Sequence, residues 1–598
     1  MTSVVAIAAA GVLSLEASAQ GFGQIEEIMV TAERREQSLQ SVPISVTALS
    51  AQRLGAAGVE STLELTFMTP SLNMTRLRQS SSPFIRGVGT LTATAGFEVP
   101  VSTYIDGVYM PSMPGGIFSL NSIERVEVLK GPQGTLFGRN ALGGVVQVVT
   151  RDPSQEPEVK VSVTYGNYDT YGGDFYGTTG ITDNLAADLA VRYRNQGDGY
   201  GINEVTGNEV NWAEELNIRT KFLLELDRTR LTLSFDYSKL DASQIAGRFY
   251  PGSVAATGVL PVEGFQDVAL SVDPNNETEQ FGGYLKIDHD LGFANLISTT
   301  AFRRVDSSFN LPNWLPFNLA DIFIDEFNNS MSQEFQLQSN TDGPLQWTAG
   351  VYLFRLKGGF DPLMVTGAAV AAIGSESRFP IIRTRSAAAY GQATYAITDD
   401  TRVTAGLRYT IDEQRVEAIY TRPNVGVALE VPRNKETWEK PTWRLAIDHD
   451  LTDDIMVYAS YNRGFKSGTF TASSPADVPV DPETIDSFEI GKKAEFWDRR
   501  LRLNTAVYYF THKNIQLTSL GGSPPLARLL NAAKGRTYGL EMEAELVPVE
   551  NLSLRAAFAL TDAKYKDFPD GPLFTPNPGG GNATGFADLS GSSIVYTP

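Results

Sequence analysis

From about Pro157 onward, apolar and polar residues alternate one by one in long runs. Leu231, Leu233, Phe235 and Tyr237 alternate with Thr232, Ser234, Asp236 and Ser238. Val403, Ala405, Leu407 and Tyr409 repeat the scheme against Thr404, Gly406, Arg408 and Thr410. Leu552, Leu554, Ala556, Phe558 and Leu560 do so against Ser553, Arg555, Ala557, Ala559 and Thr561. A period of two gives a strand one apolar face and one polar face. Strands of soluble sandwiches run to about 5–6 residues. Many runs here are about twice that, long enough to cross a bilayer on a tilt.

The connections alternate as well. Thr182-Asp183-Asn184, Asp227-Arg228, Thr341-Asp342-Gly343 and Asp399-Asp400 read as tight turns, whereas 241–278, 357–383 and 467–482 read as long loops. Short turns at one end and long loops at the other are the pattern of a transmembrane barrel. The near-repeat 285–291 (Leu-Lys-Ile-Asp-His-Asp-Leu) and 445–451 (Leu-Ala-Ile-Asp-His-Asp-Leu) reads as shared turn chemistry, not a duplicated domain. The alternation predicts about 17 strands. A closed single-chain barrel needs an even number, so the odd count leads us to expect a C-terminally truncated barrel with two open edges.

Other features narrow the class. Val4–Leu15 is an apolar run followed by Ala17-Ser18-Ala19, the layout of a signal peptide without its usual basic start. No later run approaches the length of a transmembrane helix. The absence of cysteine removes disulfide, zinc-thiolate and thiol chemistry and suits export into an oxidising compartment. A formal charge of −20 leaves no basic surface to displace phosphate counterions, which excludes nucleic acid as a partner. His289, His449 and His512 lie far apart without metal-ligand spacing and read as structural or solvated. No nucleophile elbow, H-E-x-x-H or paired catalytic carboxylate signature is present, so no enzyme and no metal centre is expected.

The segment Ile123–Thr150 is the most informative. Two alternating runs, Ile123–Leu129 and Val145–Thr150, flank a loop with Gly131, Pro132, Gly134, Gly138, Gly143 and Gly144. A phosphate-binding reading fails because the loop lacks both a Gly-Lys-Ser/Thr ending and G-x-G-x-x-G, and a β pattern follows it. The segment resembles the plug domain of TonB-dependent outer-membrane receptors. Val42-Pro43-Ile44-Ser45-Val46, Thr69-Pro70-Ser71-Leu72, Phe84-Ile85-Arg86-Gly87-Val88 and Tyr104-Ile105-Asp106-Gly107-Val108-Tyr109 precede it in the family's order.

The resemblance covers nearly everything after the signal segment. It implies an all-β transmembrane barrel of the family type with about 22 strands, C-terminally truncated here, with an N-terminal α+β plug domain in its lumen. The expected divisions are a signal peptide at 1–19, the TonB box and linker at 20–40, the plug at 41–152 and the incomplete barrel at 153–598. Glu26, Glu27, Ile28, Met29, Val30, Thr31 and Ala32 resemble the TonB box, which lends its backbone to a sheet edge of the partner TonB. The β-branched residues and the lack of proline suit that role.

By the same resemblance, two basic plug residues face two barrel glutamates and hold the plug. The matching residues are Arg86 and Lys130 against Glu489 and Glu541. Lys130 replaces the more usual arginine and lacks its bidentate fork. Ligand contacts are expected on outward plug loops, at Arg76 and Arg78 for an anionic chelate and at Tyr109 and Met113 for an aromatic or apolar one.

The implied function is TonB-dependent import of a scarce solute across the bacterial outer membrane. A ferric siderophore is the default cargo; vitamins, oligosaccharides and other nutrients are the alternatives. The implied partners are TonB with its inner-membrane energy-transducing proteins, outer-membrane lipid and the small-molecule ligand. No covalently bound cofactor is expected, and the iron chelate is cargo. A passive porin or adhesin needs neither box nor plug, and long strands without catalytic signatures speak against a secreted β-rich enzyme. Only Gln20–Ile25 separates the predicted cleavage site from Glu26, which leaves no space for the extra domain of a signalling transducer.

Overall fold

The alternating runs form one sheet of 17 strands, from Glu158–Gly166 at one edge to Leu552–Asp567 at the other. Neighbours follow chain order and every pair is antiparallel. A computed structural model describes residues 24–594 except 78–79, 93–94, 113–119, 121, 244–261, 263, 314, 342, 372–373, 424–425, 522–525, 550–551 and 578–581. The expected signal segment 1–19 lies outside the described residues. Among the described residues no ladder joins the two edge strands.

The sheet is inside-out relative to a soluble domain. On strand Thr401–Arg422, Leu407, Tyr409 and Ile411 are 59%, 45% and 41% exposed, whereas Thr404, Arg408, Thr410, Asp412 and Gln414 are buried. The same inversion exposes Leu445 and Ile447 and buries Arg444, Ala446 and Asp448 on Gly426–Thr452. An apolar outer face is the one that hydrocarbon accepts, and a fully paired ladder leaves no backbone group seeking water there. The strands range from 9 residues to 27, so many exceed the ~9–11 that cross the membrane. For that reason 357–383 is mostly ladder, not the expected loop. Strands Leu345–Val365 and Glu376–Ala396 continue through it, with a register shift between Gly359 and Leu363 taking up the Gly/Pro positions that suggested a loop.

The two near-repeats share turn chemistry, as expected. His289 Nδ1 pairs with Thr229 Oγ1 at 2.8 Å, and His449 Nδ1 with Thr401 Oγ1 at 2.9 Å. Asp290 N donates to Arg228 O and Asp450 N to Asp400 O, each at 2.9 Å.

The plug is α+β. Its five-stranded sheet has the order Val46–Ser50, Ile123–Lys130, Gly144–Thr150, Val101–Ile105, Val108–Met110, and only the third and fourth strands are parallel. A helix at Ala51–Ala56 and a 3-10 turn at Thr62–Phe67, closed by a Ser61–Glu64 capping box, follow the first strand. Leu72–Leu77 and Ser80–Ile85 form a separate hairpin. The alternation within Ile123–Lys130 sends Val126 and Val128 into one apolar cluster with Val146 and Val148. It sends Leu129 to the other face, into a second cluster with Val145, Tyr104 and Phe137. Glu127 and Gln147 lie opposite each other in the ladder, next to that second cluster.

Candidate functional site

At the end of strand Ser80–Ile85 the backbone turns through Arg86 at φ 53° and Gly87 at φ 77°. The left-handed region costs a non-glycine residue about 1–2 kcal/mol, and here the turn aims a guanidinium at the barrel wall. Arg86 Nε and Nη2 donate to the two oxygens of Glu541 at 2.9 and 2.8 Å, and Nη1 donates to Glu489 Oε2 at 2.6 Å. The guanidinium carbon also stands 3.9 Å from the centre of the Tyr508 ring. Only 1% of the residue is exposed.

The two carboxylates are themselves saturated. Ser45 N and Tyr458 Oη donate to Glu489 Oε1 at 3.2 and 2.8 Å, Ser45 Oγ donates to Glu541 Oε2 at 3.2 Å, and Ser71 Oγ donates to Glu541 Oε1. Burial alone lowers the pKa of Arg86, but facing Glu541 and Glu489 raises it well above the ordinary arginine value. A buried ion pair of this kind is stable only when the remaining lone pairs are also satisfied. Gly131, at φ 82°, closes over this site: a Cβ there would stand 3.2 Å from Arg86 Nη1.

Lys130 meets Glu541 as expected but not Glu489, and its hydrogen bond goes to a third carboxylate. Its Nζ donates to Glu543 Oε1 at 2.9 Å and stands 3.9 Å from Glu541 Oε2. No ion pair joins it to Glu489 among the described residues. The fork of Arg86 already occupies Glu489 and Glu541, and Glu543 projects from the same face two residues further along its strand. Glu543 also accepts from Thr47, and Glu545 pairs with Arg53. Glu543 and Glu545 were missed, although the alternation Glu541-Met542-Glu543-Ala544-Glu545 was a legible signal for three carboxylates on one face.

The box-like segment lies folded under the plug. Ile28, Val30 and Ala32 are 6%, 0% and 1% exposed and join the apolar cluster of Leu39, Val42, Ile44, Tyr104 and Leu129. Glu26, Glu27 and Met29 face outward. Met29–Val30 pairs with Gln37–Ser38 in a minimal antiparallel ladder. Thr31 is fastened to the plug sheet: its N–H reaches both oxygens of Glu127 at 3.0 Å, its hydroxyl donates to Oε1 at 3.1 Å, and Gln147 Nε2 donates to that hydroxyl. Burial raises the pKa of Glu127, although Arg125, whose Nε donates at 2.8 Å, and Thr31 pull it back. At the near end, Ile25 N donates to Arg499 O at 2.8 Å and Arg502 Nη2 to Glu26 O at 3.0 Å.

The expected ligand contacts fare differently. Arg78 and Met113 lie outside the described residues. Tyr109 is only 7% exposed and does not face outward. Its hydroxyl donates to Glu98 Oε1 at 2.8 Å and accepts from Asn140 Nδ2 at 3.3 Å, while its ring lies 5.5 Å from Tyr104 and 5.8 Å from Phe354. Arg139 pairs with Glu98 at 2.8 Å and approaches Asp412 at 3.8 Å. Tyr109 is therefore a joint in a buried network, because its edge strand packs against the barrel wall. Arg76 is half-buried, and burial lowers its guanidinium to about 10 against the pull of Glu215.

Above the plug loop, Lys466 lies 4.0 Å from the Phe97 ring centre and 3.7 Å from Glu483, which His512 Nε2 meets at 2.7 Å. Sequence reasoning missed Glu98, Arg139, Lys466 and Glu483, which carry no local pattern to mark them. Among the described residues no group of three or more His, Asp or Glu is placed to hold a metal ion.

Comparison with known proteins fits this geometry. The family profile described as TonB dependent receptor-like, beta-barrel matches residues 217–597, and the TonB-dependent receptor plug domain profile matches 38–145. The pesticin receptor of Yersinia pestis is 25% identical over 559 residues, covering 91% of this chain and 79% of that protein. The metal-pseudopaline receptor of Pseudomonas aeruginosa is 24% identical, covering 74% and 64% respectively. The crystal structure of the ferric yersiniabactin uptake receptor from Yersinia pestis superposes with a TM-score of 0.77 at 21% identity, covering 88% of this chain and 79% of that one. A plug and an inside-out β-sheet, both matched by their profiles, make this chain a member of the TonB-dependent receptor family of outer-membrane proteins.

Proposed function

We propose that this receptor imports a ferric siderophore across the outer membrane, with TonB docking at Glu26–Ala32 and the proton gradient of the inner membrane supplying the work. The observation that carries the reading is the state of the box-like segment: a strand-forming stretch whose apolar side is buried under the plug and whose hold is a two-residue ladder and a few hydrogen bonds. Such a segment offers a sheet edge to a partner only after release, and release needs few bonds to break. Ligand bound on the outer plug loops shifts the Glu98–Tyr109–Tyr104 network toward release. TonB then pairs with the freed strand, and pulling opens a path past the Arg86 and Lys130 contacts. The filled lumen speaks against a passive pore.

An iron chelate is favoured as cargo because relatives are named for ferric yersiniabactin and for metal-pseudopaline. Val30→Pro removes a backbone donor from the box. It is expected to abolish energised uptake of radio-iron chelate in iron-starved cells while leaving ligand binding to the purified receptor intact. Undiminished uptake in that variant would sink the TonB mechanism. Expression and uptake indifferent to iron supply would sink the siderophore assignment and leave a vitamin or oligosaccharide as cargo.

A further inference from the structure

The segment between the box and the plug is tied to the barrel at successive points, in chain order. Arg35 comes first. Its Nε donates to Thr348 Oγ1 at 3.2 Å and its Nη1 to Gln346 Oε1 at 2.9 Å. Its Nη2 reaches Ser339 O, Ser339 Oγ and Trp347 O at 3.0, 2.8 and 2.7 Å. All these acceptors flank the short connection between strands Ile322–Ser339 and Leu345–Val365. Leu39 O then accepts from Lys493 Nζ at 2.6 Å, and Pro43 O from Arg444 Nη2 at 3.0 Å. Ser45, held by Glu489 and Glu541, comes next. The neighbouring Arg34 bridges plug and wall: its guanidinium lies 4.3 Å from the Phe137 ring centre and 5.0 Å from that of Tyr104, and its Nη2 stands 3.9 Å from Glu334 Oε2.

We propose that Arg35 is a mechanical pin: once Thr31 has left Glu127 and Gln147, tension applied to the box reaches the barrel wall through Arg35 before it reaches the plug's first strand, Val46–Ser50. Only Glu33 and Arg34 separate Ala32 from Arg35, three steps or about 10 Å of extended chain. Tension therefore peels the Met29–Val30 ladder one pair at a time, draws Thr31 off Glu127 and Gln147, and then meets a guanidinium whose acceptors all belong to the barrel. The plug's first strand, Val46–Ser50, remains unloaded until that guanidinium lets go. Arg35 thus sets a threshold that separates brief tugs from sustained pulling, and the Lys493 and Arg444 contacts yield after it. A planar fork spread over several acceptors suits this role, and a lysine cannot reproduce it.

The inference rests on the box being the point of attachment, but its test needs neither TonB nor a ligand. The full chain in a lipid bilayer is pulled from the box through a Glu26→Cys tether, unique because the protein has no cysteine. The unaltered chain should show a rupture at short extension ahead of the larger plug events. Arg35→Ala should lower the force of that first rupture and keep the plug events at their usual force. The same first rupture at unchanged force in Arg35→Ala overturns the proposal. Should Arg35→Ala disturb the plug itself, Gln346→Ala decides from the barrel side: a weakened first rupture supports the pin, and an unchanged one overturns it. A purified TonB domain that fails to bind the box would defeat the proposed function while the pulling result stood.

Discussion

The contacts around Arg86 and those around Thr31 lie within one lumen, yet they hold their segments in opposite ways. Arg86 is gripped by a fork on two carboxylates whose remaining lone pairs are filled by Ser45, Ser71 and Tyr458. Thr31 is held by one carboxylate and one amide, beside a ladder only two pairs long. The first arrangement makes partial release expensive, because any broken contact strands a buried charge. The second makes release cheap, because the freed strand keeps all its options for pairing elsewhere. The difference teaches where motion is permitted: at the box first, and at the plug only under load.

Three substitutions test that contrast. The largest effect belongs to Arg86→Leu, which leaves Glu541 and Glu489 buried without a counter-charge, at a cost of about 3–5 kcal/mol. Hydrogen exchange in Ile123–Lys130 should accelerate by ~100-fold or more. Unchanged protection would mean that apolar packing alone retains the plug. Glu127→Gln should come next, weakening the charge-assisted bonds to Thr31 by about 1–2 kcal/mol. A Val30→Cys reporter, the sole thiol in such a chain, should then be labelled about 5–30 times faster. An equal rate would show that burial in the apolar cluster, and not Glu127, retains the box. The smallest effect is predicted for Lys130→Met, about 1 kcal/mol by the same exchange measurement, because Glu543 keeps Thr47 and Arg555. A loss as large as that of Arg86→Leu would erase the distinction between fork and single contact.

Much of this molecule was legible locally. Period-two alternation predicted about 17 strands, and the described residues form a sheet of 17. It succeeded because each residue's face is fixed by its immediate neighbours. It failed at 357–383, where glycine and proline suggested a loop but a register shift let the ladder continue. The motif series picked out Arg86, Glu489 and Glu541, which the fold brings together across 403 and 455 positions of sequence. It did not foresee Glu543 as the partner of Lys130, because that choice depends on which oxygens Arg86 has already taken. Nor did it foresee that Tyr109 turns inward, since an edge strand's exposed face is decided by what lies against it.

The sequence by itself determined the inside-out sheet, the α+β plug and the chemistry available to each, because hydrophobic period, turn residues and glycine positions act over a few residues. Only the tertiary structure decided the pairing of charges across the lumen, the burial of the Thr31 segment and the anchoring of Arg35. Those depend on the register of the whole sheet around the plug, a long-range quantity that no local pattern encodes.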